Sequence, residues 1–178
     1  EISCADKNHV VGIFDKNSKK KINAWLKNNL VSKQDGAFIT SLDVLKAIYS
    51  MGGIGYIAHI DTSNILKNDV MNGAYKNKLF TSQVSQILGI KNLGNRNNIS
   101  IKLQKYNKKE IKFIPESDVH NIEDLSHNIF WIKGSKRNYS MIKEALNDYD
   151  ISISLQEDSV PDQYIYGIYV ENRDKGFL

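Results

Sequence analysis

Two apolar, strand-like segments of this chain end in side chains that can hold a metal or move a proton. Ile54 to Ile60 (IGYIAHI) carries His59 near its end, with Asp61 directly after. Residues 111–115 (IKFIP) are followed by Glu116, Ser117, Asp118, Val119 and His120. Imidazole and carboxylate are the usual ligands for zinc, manganese or iron where sulfur is absent. Asp118 and His120 are two apart, so in extended backbone both face one side. Each feature alone also has a plainer reading: a hydrogen-bonded structural histidine, or a chance Asp-x-His. Asp61 can orient a ligand histidine from behind or cap a helix beginning near Thr62. His9 stands before an apolar run, at its amino end, where it is structural unless the strand starts earlier. His127 lies in a polar loop and reads as surface.

These side chains need elements to hold them. Val10 to Phe14 (VVGIF) reads as a buried strand. Ile22, Trp25, Leu26 and Leu30 fall at helical spacing, so residues 19–30 are expected to form a helix with one apolar face. Ser41 suits an N-cap for residues 42–51, and Gly52-Gly53 ends that helix. IGYIAHI reads as a buried, parallel strand. Residues 62–108 read as mostly helical with loops, including Ser82 to Leu88 and Ile99 to Tyr106. Further strands are expected at Ile111 to Ile114, Ile129 to Ile132, Ile151 to Leu155 and Tyr164 to Val170, with a helix over Tyr139 to Leu146. Short apolar strands alternating with helices predict an α/β fold with a mainly parallel sheet, open or closed into a barrel. In such folds sites collect at the carboxyl ends of the strands.

The 178 residues suit one domain, and 41% hydrophobic with 25% charged residues is a core-forming composition. One cysteine, Cys4, excludes a disulfide-stapled scaffold and a multi-cysteine zinc site. No apolar run approaches the ~18–20 residues of a membrane span, and the start EISCADKNHV lacks the features of a signal peptide. A reduced, cytoplasmic setting is the simplest expectation. The net charge of +4 suits an anionic partner such as a phosphate ester or nucleic acid without requiring one. The lysine clusters at 19–21 and 102–109 are either solvated helix surface or a binding stripe. Both ends look cut: the chain opens at Glu1 in strand-like sequence and stops at Leu178, which reads as an excerpt of a longer protein.

Taken together, GGIGYIAHID (52–61) and PESDVHNIEDL (115–125) resemble later motifs of the PHP superfamily, the polymerase and histidinol phosphatase domain. FWIKGSKRNYSMIKEALND (130–148) is similar to a segment that follows the PHP motif in a subgroup fused to AAA-type or SMC-like ATPases. The resemblance covers nearly all of the chain. It implies a distorted β/α barrel, here lacking its first strands. Residues 160–178 would then be a strand segment leading toward an ATPase domain in the same polypeptide.

The resemblance also implies a ligand set. Glu1 stands where the family has a metal-bridging Glu, His9 matches a following ligand, His59 the next, and Asp118 with His120 the last pair. The family's opening His-x-His motif would lie upstream of Glu1. Many members have Pro after the ligand His, where this chain has Ile60. The implied activity is hydrolysis of a phosphoester, in a nucleotide or nucleic acid, with two or three divalent ions. Lys133 and Arg137 follow the last motif and either meet phosphate or lie on exposed surface. Two other readings stand beside this one. The first is a degenerate PHP module that binds nucleic acid or a partner without catalysis. The second is an unrelated α/β protein whose His and Asp residues are structural.

Overall fold

The computed structural model describes residues 1–32, 36–67, 71–106, 111–118, 121–122 and 128–155. Their order is β1 (Ile2–Ser3), β2 (His9–Ile13), α1 (Lys19–Asn29), β3 (Leu30–Ser32), β4 (Gly36–Ala37), α2 (Ser41–Ser50), β5 (Ile54–Ile57) and α3 (Gly73–Thr81). There follow β6 (Ile87–Ile90), α4 (Arg96–Gln104), β7 (Lys112–Pro115), β8 (Trp131–Ile132), α5 (Tyr139–Asn147), α6 (Tyr149–Ser152) and β9 (Ile153–Ser154).

Five strands form one sheet in the order β1-β2-β5-β6-β7, and β3-β4 and β8-β9 form separate pairs. This corrects the expected barrel, and with it the mainly parallel sheet. Among the described residues the sheet is open, with β1 and β7 at its edges, and its pairing is mixed. β2 runs antiparallel to both β1 and β5, whereas β5, β6 and β7 are parallel. The connections explain the mixture. A single crossover helix returns the chain parallel, and one α-helix separates β5 from β6 and another separates β6 from β7. Two helices, α1 and α2, separate β2 from β5, and the extra reversal brings β5 in antiparallel.

The two faces of the sheet are covered separately. On one face Val10, Ile57, Leu88, Ile90 and Phe113 pack with Leu42, Leu45 and Ile48 of α2, Leu79 and Phe80 of α3, and Ile99 and Leu103 of α4. Fully buried aliphatic side chains of this kind contribute about 1.5–3 kcal/mol each. On the other face Ile54 and Ile114 meet Leu146 of α5, with Tyr56, Ile87 and Ile13 beside them. Phe113 and Ile114 are adjacent in sequence yet lie in different clusters, as the two-residue strand period requires.

Local chemistry sets the boundaries. Thr40, rather than Ser41, caps α2, its hydroxyl accepting the Asp43 N–H. Ser41 is instead the first helical residue and is buried. Gly52, at φ 83°, ends the helix in the left-handed region that glycine enters without steric cost. β6 is the largest departure from expectation. Residues 82–88 read as helical, but they form a short 3-10 turn (Gln83–Ser85) and the start of a central strand. The strand expected at 164–170 and the segment 160–178 lie outside the described residues. Among those described, no helix is long and apolar enough to cross a membrane.

Candidate metal centre

The site assembles at one end of the sheet. Cys4 N–H donates to the Asn8 carbonyl at 2.8 Å, closing a tight turn that passes through Lys7 at φ 62°. The turn folds β1 back along β2 with Ser3 opposite His9 and Ile2 opposite Val10. Glu1 and His9 are thereby diagonal neighbours on one face, within reach of long side chains. The strand containing His9 does start earlier than the VVGIF pattern suggests: His9 opens β2. Because β2 is antiparallel to β5, its amino end lies beside the carboxyl end of β5, and the Ala58 N–H donates to the His9 carbonyl at 2.9 Å.

His59 follows β5 in a left-handed conformation, φ 32°. Such a conformation is uncommon for a side-chain-bearing residue and costs about 1–3 kcal/mol. Surrounding hydrogen bonds fix it. The His59 carbonyl accepts the N–H groups of Thr62 and Ser63 at 3.0 and 3.1 Å, and Ile60 N–H reaches the Gly89 carbonyl on β6 at 2.8 Å. The His59 N–H donates to the Glu116 carboxylate.

Three donors converge here. Glu1 Oε1 lies 2.5 Å from His9 Nδ1 and 3.3 Å from His59 Nε2. The two imidazoles meet edge to face with ring centroids 4.9 Å apart. One ligand atom from each of the three residues lies within 4.8 Å of the others. Burial alone would raise the Glu1 pKa, but hydrogen bonds from His9 and His59 outweigh it and hold the carboxyl below its ordinary value. One carboxylate and two imidazoles are a donor set that zinc, manganese or iron accepts, so these residues fit the divalent ion that the sequence resemblance implies. The Glu1 and His9 side chains are partly exposed, at 40% and 42%, while that of His59 is 15% exposed.

Glu116 is the residue that the sequence motifs understate. It follows β7 directly, on the same face as Ile114. Its carboxylate lies over Gly89, where a Cβ would overlap it. Burial pushes its pKa up to about 7, partly offset by the His59 N–H and imidazole, with Glu1 and Asp118 adding to the rise. The Tyr56 hydroxyl, raised first by burial, is also hydrogen-bonded to Glu116. The available signal was position: Glu116 is the first residue beyond a strand end.

The remaining predicted residues are placed differently. Asp118, at φ 48°, is outside the three-residue group and accepts a hydrogen bond from Lys91 Nζ at 2.9 Å. Among the described residues Asp61 holds no histidine, and it does not cap a helix at Thr62. Its oxygens accept the N–H groups of Lys91 and Asn92, each at 3.0 Å, and Asn95 Nδ2 at 3.2 Å, which fixes the turn after β6. Ser63 caps the short 3-10 turn that follows instead. Lys133 and Arg137 are exposed between β8 and α5. His120 and His127 lie outside the described residues.

A buried polar network supports the site from behind. Asp6, Asn8 and Ser41 are each at most 1% exposed. The Asp6 carboxylate accepts the Ser41 N–H at 3.2 Å, the Ser41 hydroxyl at 2.6 Å, the Tyr75 hydroxyl, and Asn8 Nδ2 at 3.4 Å. Ser63 Oγ donates to Asn8 Oδ1 at 2.8 Å. The turn before His9 and the turn after His59 are thus fastened to each other through Asn8 and Ser63.

No family model matches the chain. Among curated proteins it is similar to an uncharacterized protein of Streptococcus pneumoniae serotype 4, 38% identical over 110 residues. That match covers 59% of this chain and 42% of the relative, so the chain spans less than half the relative's length. No solved structure matches.

Proposed function

We propose that this chain is part of a metal-dependent phosphoesterase or nuclease of PHP type, acting on a phosphoester of a nucleotide or nucleic acid. The observation that carries the reading is Glu1 Oε1 set between His9 Nδ1 and His59 Nε2, three donors from three different strand ends. The resemblance of residues 52–61 and 115–148 to the PHP motifs supports it, and the net charge of +4 suits a phosphate-bearing substrate. The barrel is not part of the proposal, since the open mixed sheet replaces it.

Glu1, His9 and His59 would hold a divalent ion. Such an ion, when bound, acidifies water near neutral pH and offsets the charge of a phosphoryl group. The chain's own groups do the rest. Glu1 stays a carboxylate because hydrogen bonds from both histidines outweigh its burial. Glu116 fixes the orientation of His59 through its backbone N–H. Outer partners of this kind typically set ligand affinity by 10–100-fold. A cytoplasmic setting suits the single buried thiol of Cys4, and an ATPase domain in the same polypeptide is the partner that the resemblance supplies.

Elemental analysis of the purified chain, with hydrolysis of bis(p-nitrophenyl) phosphate, tests this. Bound zinc, manganese or iron with turnover, both lost in Glu1→Gln, is the expected result. Metal without turnover favours the alternative module that binds nucleic acid or a partner without catalysis. A chain that takes up no divalent ion sinks the proposal.

A further inference from the structure

Residues of β1, α1 and α2 and the end of β2 surround an apolar cavity of ≈ 360 Å³. Its lining includes Phe14, Trp25, Leu26, Ile48 and Met51, together with Glu1. One donor of the proposed metal centre thus also borders this cavity. Phe14 and Trp25 pack against the core cluster on their inner side, yet no residue of α1 is fully buried, so the apolar face of that helix is only partly covered. Phe14 and Ile22 line a second hollow as well, of ≈ 320 Å³, where Lys16 and Lys19 join them. Asp15 also lines that hollow, but its carboxylate accepts the Asn17 N–H at 2.9 Å. Residues 16–34 hold six lysines and no Asp or Glu, more positive charge than the net +4 of the whole chain.

An aromatic-walled slot takes a flat ring by stacking, and lysines beside it attract a phosphodiester backbone. Stacking platforms set in a cationic groove hold single strands with little regard to sequence. Resting on the proposed phosphoester site, we propose that this groove binds single-stranded nucleic acid. One base enters the cavity against Trp25 and Phe14, beside the phosphoester presented at Glu1, and the strand continues over Lys16 and Lys19. Apart from Glu1 and the Trp25 indole, the side chains of the lining are hydrocarbon or thioether. The base is therefore held by its face rather than read at its edges, and the lysine cluster of α1 serves as a binding stripe for the backbone.

Strand binding in EDTA tests this apart from hydrolysis, using Trp131→Phe so that Trp25 is the sole tryptophan. Oligo(dT) is expected to quench Trp25 fluorescence. It should bind at least about fivefold more tightly than an abasic strand of the same length, the lower bound for one base stacked on an aromatic ring. In the otherwise native chain, Trp25→Leu is expected to bring oligo(dT) down to the abasic level, read by the anisotropy of a labelled strand, with circular dichroism unchanged. Lys16→Ala combined with Lys19→Ala should weaken both strands alike and lessen the salt dependence. Equal binding of the two strands, or a Trp25 signal that does not move, would overturn the inference. So would a dimer in sedimentation velocity whose dissociation exposes Trp25, since a second copy would then fill the cavity. Metal uptake is measured separately: base-dependent binding by a chain that takes up no ion would strike the proposed hydrolysis and leave the groove standing.

Discussion

His9 and His59 are fifty residues apart in the chain, yet their rings meet edge to face at 4.9 Å. The antiparallel pairing of β2 with β5 makes this contact. It sets the first residue of one strand beside the last turn of the other, and Glu1 on the edge strand reaches both rings. An open sheet with one reversed strand thus brings together groups from both ends of strands.

The geometry of that contact depends on Asp6. Removing its carboxylate in Asp6→Ala leaves the Ser41 N–H, the Ser41 hydroxyl and the Tyr75 hydroxyl without their acceptor in a buried setting. Each buried unsatisfied group costs about 1–3 kcal/mol. Urea unfolding is expected to show a loss of about 3 kcal/mol or more, and Mn2+ affinity should fall with it. A loss within about 0.5 kcal/mol, the range of ordinary surface changes, would show that the network does not hold the turn.

Gly89→Ala is expected to act through Glu116. The added Cβ would overlap the Glu116 carboxylate, which is the movable end of a side chain, so the carboxylate shifts and the backbone stays. His59 N–H then loses its acceptor. Metal affinity is expected to drop by about 10–100-fold, as for loss of other supporting partners. Stability should change by no more than about 1–3 kcal/mol, the ordinary range for overpacking. Unchanged Mn2+ affinity in calorimetry would exclude a positioning role for Glu116.

Glu116 also gives the metal-free chain a signature in pH. Burial raises its folded pKa from 4.5 to about 7. Between those values the folded state keeps a proton that the unfolded state releases, so this contribution is complete below about 4.5 and is lost as pH rises through 7. Glu1, with its lowered pKa, acts in the opposite sense and below 4.5, so the two windows separate. Urea midpoints measured from pH 4.5 to 8 are expected to decline for wild type and to flatten for Glu116→Gln. Parallel profiles for the two proteins would contradict the assignment.

Much of the local structure was legible in the residues. The 3.6-residue spacing of Ile22, Trp25 and Leu26 marks α1, and Gly52 marks the end of α2, because these signals depend on chain-local geometry. The positions of His59 and Glu116 just beyond strand ends were equally visible. β6 was not, since ILGI is four residues long and periodicity over so short a run does not separate strand from helix. Nor was the contact of Lys91 with Asp118, which follows from the placement of β6.

By itself the sequence determined which groups were available for chemistry: one carboxylate-rich strand end, a histidine after each of two apolar runs, and a mild positive charge. Only the tertiary structure decided which of them meet. A strand's direction in a sheet depends on how many reversals precede it, and β2 entered antiparallel, moving His9 from the far end of the sheet to the side of His59. The same placement put Lys91 on Asp118 and turned Asp61 toward backbone N–H groups, because hydrogen-bond partners far apart in sequence are chosen by packing.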